Sequence, residues 1–124
     1  MGKTRRIREL FGLHDRTSAI LALVAGLVLL LNWAAIIAFL APRLGTLRFL
    51  RLHYTAALGV DWEAEWWKVF SFPILGCATF FINGFLSGML ARKHRMLGLT
   101  VLFATAVIEM ALAGGGVMAI MLNS

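Results

Sequence analysis

The chain has 124 residues, 60% of them hydrophobic and 15% charged, with a net charge of +6. That size fits one membrane domain, and uncharged apolar runs long enough to cross a bilayer exclude the water-soluble fold classes. The positive balance does not point to nucleic acid, because no basic face interleaved with aromatic residues exists for bases to stack on.

Residues 1–16 form a basic arm. Ile7, Leu10, Phe11 and His14 recur at helical spacing, with Arg5, Arg6 and Arg8 on the remaining positions. The pattern predicts a short amphipathic helix on the inner leaflet, where anionic headgroups attract each basic residue by about 1 kcal/mol. Arg5-Arg6 is not followed by the apolar pair of a twin-arginine signal, and Arg6 stands where myristoylation of Gly2 would need Ser or Thr.

Three apolar runs follow, at 19–40, 69–90 and 97–122. A helix of 22 residues is roughly 33 Å long, enough for a hydrocarbon core of about 30 Å. The first run is too long for a signal-peptide core and reads as a retained anchor. Asn32 and Trp33 interrupt it beyond its centre, and Pro42 ends it. Of the twelve Lys and Arg residues, eight fall in the arm and in the turn carrying Arg92, Lys93 and Arg95. The positive-inside rule then places the N-terminus in the cytoplasm and the C-terminus outside.

Residues 42–68 are too apolar for a solvated loop. Leu44, Leu47, Phe49, Leu50 and Leu52 alternate imperfectly with Arg43, Arg48 and Arg51, as in a strip lying among headgroups. Gly59 offers a turn, Asp61 an N-cap, and Glu63 and Glu65 suit the first turns of a helix. Trp62, Trp66 and Trp67 suit an aromatic belt. An interfacial helical ramp over 61–68 is the expectation.

In the second span, Gly84 and Gly88 form a G-x-x-x-G face for close approach of another helix. Arg92–Arg95 makes a tight turn, so spans two and three form an antiparallel hairpin. Span three carries Glu109 at its middle, then Gly114, Gly115 and Gly116, which make either a tight crossing or a hinge.

Glu109 is the foremost candidate site. A charge at the bilayer centre costs at least about 2.5–3.5 kcal/mol, so the acid stays protonated, finds partners or touches water. Counting ~1.5 Å per residue, Asn32 and Asn83 fall within ~5 Å of the middle of their own spans. Glu109, Asn83, Asn32 and Thr105 are therefore expected to form a buried polar cluster. Interhelical glue, a proton or cation site, and contact with another subunit all remain open for Glu109. His53, Tyr54 and Asp61, with the tryptophans, form a second candidate on the outer surface. Two donors so far apart do not make a metal site. Cys77 is the single cysteine, so neither an internal disulfide nor a Cys-based metal framework is available.

Leu52-His53-Tyr54, Gly59-Val60-Asp61, Trp66-Trp67-Lys68-Val69-Phe70, Pro73, Gly76 and Ile82-Asn83 together resemble a group of small prokaryotic three-span membrane proteins. That group carries an L-H-Y-x(4)-G-[IV]-D segment followed by a Trp/Pro-containing span. Thr55 departs from the pattern, as does Ala64-Glu65 where a Gly-Pro turn would stand. The resemblance implies a prokaryotic cytoplasmic membrane and a structured outer element; it implies no activity.

The expectation is an all-α membrane fold of one domain, 1–124. Its function would be that of a non-catalytic accessory or structural subunit of a larger membrane complex, without cofactor or metal. Its partners would be membrane lipids and other membrane subunits or further copies of the chain. The faces used would be Gly84/Gly88 and the small residues of span three. An oligomeric channel or proton-conducting component using Glu109 is the alternative. Lipid or quinone contact at the Trp-rich outer interface is another.

Overall fold

Backbone in hydrocarbon has no water to bond to, so an isolated apolar segment of this length must satisfy its own N–H and C=O groups as a helix. The computed structural model describes residues 2–10, 15–43, 49–55 and 59–124, and for 8–10, 49–55 and 59–64 the backbone alone. In chain order the elements are α1 (Gly2–Leu10), α2 (Arg16–Leu40), β1 (Phe49–Thr55), β2 (Gly59–Glu65), α3 (Ser71–Ala91) and α4 (Arg95–Leu122). Short 3₁₀ turns at Ala41–Arg43 and Trp66–Phe70 flank the β segment. Three helical stretches, Arg16–Arg43, Trp66–Ala91 and Arg95–Leu122, are long and apolar enough to cross a membrane.

The helix ends have local causes. Asp15 and Ser18 form a reciprocal cap: the Ser18 N–H donates to Asp15 Oδ1 at 2.9 Å, and the Asp15 N–H donates to Ser18 Oγ at 3.2 Å. This cap starts α2 three residues ahead of the apolar run. At the other end Pro42 sits in the 3₁₀ turn, and Arg43 folds back. Its Nη1 donates to the Phe39 carbonyl at 2.7 Å and its guanidinium lies 4.3 Å from the Phe39 ring centroid. Pro73 falls in the first turn of α3, where its missing N–H removes no helical bond.

The segment expected to be an interfacial ramp is different. Phe49–Thr55 and Gly59–Glu65 pair as an antiparallel hairpin, so Asp61 lies within a strand and not at a helix N-cap. Two extended segments joined across 56–58 satisfy each other's backbone groups, and only Trp66–Phe70 turns helically. The pairing skips Leu52 on β1 and Asp61 on β2, two bulges that cancel in register. The predicted roles of Phe11, His14, Leu44, Leu47 and Arg48 fall outside the described residues.

Helix α4 is the centre of the bundle. It packs along both α2 and α3, which touch each other less. Strand β1 lies against α4, and α1 touches α3. Near the β-hairpin, Ile36, Phe39, Leu40, Val69 and Ala119 form a core cluster, with Trp66, Phe70 and Phe72 packed on it. Large apolar side chains such as Leu30, Phe81, Ile82, Phe103 and Met121 face outward, as lipid surroundings require and water would not favour.

Candidate functional site

On α4, Gly98, Leu102, Thr105, Glu109, Gly116 and Ala119 are all buried. Their spacing of three, four or seven residues puts them on one seam of the helix. Glu109 lies on that seam with 0% of its surface exposed, and neither carboxyl oxygen has a hydrogen-bond partner among the described residues. Its room comes from Gly76 on α3. A Cβ built there would stand 2.7 Å from Glu109 Oε2 and 2.7 Å from Leu29 Cδ1.

Asn32 repeats the arrangement. Its side chain is buried with Nδ2 unpartnered, and a Cβ on Gly116 would meet its Oδ1 at 2.5 Å. Each buried polar side chain thus faces a glycine on a neighbouring helix. A site built this way tolerates the polar group sterically while leaving it chemically unsatisfied.

The predicted polar cluster is brought together only in part. Glu109, Asn32 and Thr105 are buried, whereas Asn83 is half-exposed at the edge of the α3 stripe formed by Pro73, Gly76, Gly84 and Ser87. Gly76, not Asn83, meets the Glu109 carboxyl, and Asn83 lies seven residues, ~10 Å, further along α3. Asn32 docks at Gly116, seven residues (~10 Å) along α4 from Glu109. The Thr105 hydroxyl donates to the Val101 carbonyl of its own helix at 2.7 Å. A void of about 20 Å³ lies one turn away, lined by Ala22, Ala25, Phe80, Gly84, Leu102 and Thr105. With the Thr105 proton already committed, the lining is essentially carbon, and such voids stay dry.

The expected partner faces are occupied from within. Gly84 and Gly88 are buried inside this chain and present no G-x-x-x-G face to another subunit. At the same contact Ser87 Oγ donates to the Gly98 carbonyl at 2.9 Å. Helix α4 runs unbroken through Gly114–Gly116. A Cβ on Gly115 would meet the Phe72 ring at 2.7 Å, while one on Gly114 would meet nothing within 4 Å. Gly114→Ala is therefore expected to be neutral or to stabilise α4 by up to about 1 kcal/mol, whereas Gly116→Ala should cost about 1 kcal/mol. Unfolding titrations from mild detergent into dodecyl sulfate check the contrast.

On the second candidate surface, His53 pairs with Trp62 and Tyr54 with Val60 across the hairpin, while Asp61 occupies the bulge. The side chains of His53, Tyr54, Asp61 and Trp62 lie outside the described residues. Trp66 packs on the core cluster, and Trp67 is exposed with its Nε1 donating to the Glu65 carboxylate. Among the described residues no group of three His, Cys, Asp or Glu could hold a metal ion.

At the opposite end Arg5, Arg6, Arg92, Lys93 and Arg95 are exposed, and the Arg8 side chain lies outside the described residues. Two contacts there and in the span escape sequence reasoning. Arg95 makes an ion pair and a hydrogen bond with Asp15, joining the cap of α2 to the start of α4. Trp33 Nε1 donates to Cys77 Sγ at 3.3 Å, so the lone cysteine links α3 to α2. The cap itself had a signal, Asp15-x-x-Ser18 ahead of an apolar run, but nothing local marked Arg95 as its partner.

The Ser18 backbone N–H, then the Ser18 hydroxyl, then Arg95 hold the Asp15 carboxyl down to about 2, from 3.8. A lowered carboxyl stabilises the fold above its unfolded value and loses that contribution as pH falls through its folded value. Protection of the first turn of α2 against amide exchange should be full above about pH 4 and fade toward about pH 2. Asp15→Asn should remove that dependence.

Comparison with protein-family models, with curated proteins and with solved structures finds no match.

Proposed function

We propose that the chain is a non-catalytic accessory or structural subunit of a larger assembly in a prokaryotic cytoplasmic membrane. The observation that carries this reading is the inward turn of the intramembrane polar groups. Asn32, Ser87, Thr105 and Glu109 are all buried within one chain, leaving a largely apolar outer surface. Such a bundle is complete in itself and suits a scaffold. The exposed basic residues of α1 and of the α3–α4 turn gather at one end, which the positive-inside rule assigns to the cytoplasm. The β-hairpin then lies outside, and an exposed strand edge is a ready docking element.

With Gly84, Gly88 and Gly116 engaged internally, the partner surface moves to this hairpin and to the outward phenylalanine and leucine side chains. The same enclosure weighs against an oligomeric channel, because Glu109 is buried within one chain and does not reach its outer surface. Contact with a lipid or quinone at the tryptophans has less support, since Trp66 is engaged by the core.

Gentle extraction of the tagged full chain, followed by native mass spectrometry, tests the reading. A larger membrane partner in fixed stoichiometry is expected. Replacing 49–65 by a Gly/Ser linker should release that partner and leave the helical bundle intact. A chain that runs only alone or as its own oligomer would overturn the proposal.

A further inference from the structure

We propose that Glu109 is a proton-binding site, and that the bound proton keeps α3 and α4 packed together at Gly76. This goes beyond the accessory reading and stands whether or not a partner is found. The geometry carries it: a fully enclosed carboxyl whose two oxygens have no donor in reach among the described residues, pressed against a glycine. A neutral acid can sit there. A carboxylate cannot remain without a donor, so losing the proton must bring water in or carry the group out.

Among the described residues the surroundings supply no counter-charge. Toward Glu109, α2 presents Leu29 and α3 presents Gly76. No Asp, Glu, His, Lys or Arg occurs between Arg16 and Arg43, or between Lys68 and Arg92. Cys77 is the one titratable side chain on α3, and its sulfur already accepts from Trp33. Strand β1, which carries Arg51, His53 and Tyr54, lies against α4, the side chains of these three lying outside the described residues. Arg95, at the start of α4, is ~21 Å away along the helix and bonded to Asp15.

The opening is the transfer of one proton from the Glu109 carboxyl to water, giving a carboxylate and hydronium. From Gly76 toward the α3–α4 turn the buried α3 side of the seam is made of Gly76, Gly84, Ser87 and Gly88. Pro73 and the Phe72 ring lie toward the other end, so the helices part locally at Gly76 without unlocking large side chains. Binding a proton in this way requires no conduction across the membrane.

The chain contains its own reporter, since the single Cys77 adjoins Gly76 on α3. Full-length protein in phosphatidylcholine–phosphatidylglycerol liposomes is alkylated with N-ethylmaleimide between about pH 5 and about pH 9, beside Glu109→Gln. The rate of Glu109→Gln at each pH is the reference for the wild type. The ratio of wild-type rate to reference should rise on the order of tenfold across the range as the seam opens. A flat ratio overturns the proposal. Should Glu109→Gln fail to fold, dicyclohexylcarbodiimide decides on the wild type, because it reacts with protonated carboxyls in apolar surroundings. Labelling of Glu109, located by peptide mass, should fall as pH rises beyond the decline that the same reagent shows on a soluble acid; a parallel decline refutes the assignment.

Discussion

Gly98→Val is expected to force α3 and α4 apart near their connecting turn and to destabilise the bundle by about 3 kcal/mol. A Cβ at Gly98 would stand 2.8 Å from Ala91 Cβ, 3.0 Å from the Ser87 carbonyl oxygen and 3.3 Å from Ala91 Cα. Two of those atoms are backbone and the third is fixed directly to it, so no side-chain rotation relieves the overlap. The turn at Arg92–His94 holds the two helices close, with the Lys93 and His94 N–H groups both bonded to the Leu90 carbonyl. The helices must separate, and the Ser87 bond to the Gly98 carbonyl is lost with them. In lipid no hydrophobic gain between helices compensates for lost contact, because association rests on packing itself. Gly76→Ala makes an instructive comparison. Its clashes are at similar distances, but they fall on the free ends of Glu109 and Leu29, which can swing. A smaller loss, about 1 kcal/mol, is expected there. Unfolding in dodecyl sulfate, followed by helicity, ranks the variants, and equal losses would show that the α3–α4 contact is looser than described.

The difference between these glycines also marks what was legible in the sequence. The spans were readable because hydrocarbon permits an isolated apolar chain only one regular structure. Burial of Glu109 was readable for the same reason, since a lipid-facing carboxyl at that depth is costly. Its neighbours were not. Whether Asn83 or Gly76 comes level with Glu109 depends on how α3 is set along α4, and apolar residues on all sides of a membrane helix leave no periodicity to fix that offset. Gly98 stands alone near a turn, outside any small-residue motif, so nothing singled it out. The Asp15–Arg95 contact joins residues 80 apart. The hairpin was obscured by its own bulges at Leu52 and Asp61, each of which breaks the two-residue alternation that identifies a strand. Asp61 followed by two glutamates and tryptophans then imitated a helix start.

Glu109→Leu is expected to stabilise the bundle by about 1–2 kcal/mol, the reverse of what interhelical glue predicts. Removing a hydrogen-bonded polar side chain from a membrane interior costs about 0.6 kcal/mol on average. Glu109 has no such bond to lose. Its burial carries the desolvation of a polar group without return, about 1–3 kcal/mol. Leucine recovers that amount, less a fraction of a kcal/mol for fitting a branched side chain against Gly76 and Leu29. Glu109→Gln should give no comparable gain, since an amide of the same shape is equally unpartnered. The expected order of stability is therefore leucine above glutamate, with glutamine level with glutamate. A gain for leucine would set the carboxyl apart from interhelical glue and fit the proposed proton site, since polar groups at working sites commonly lower the stability of their own fold. Measured on the full chain in mild detergent, a loss of about 1 kcal/mol or more for the leucine variant would mean that the carboxyl finds a donor in the membrane, from water or from a second chain.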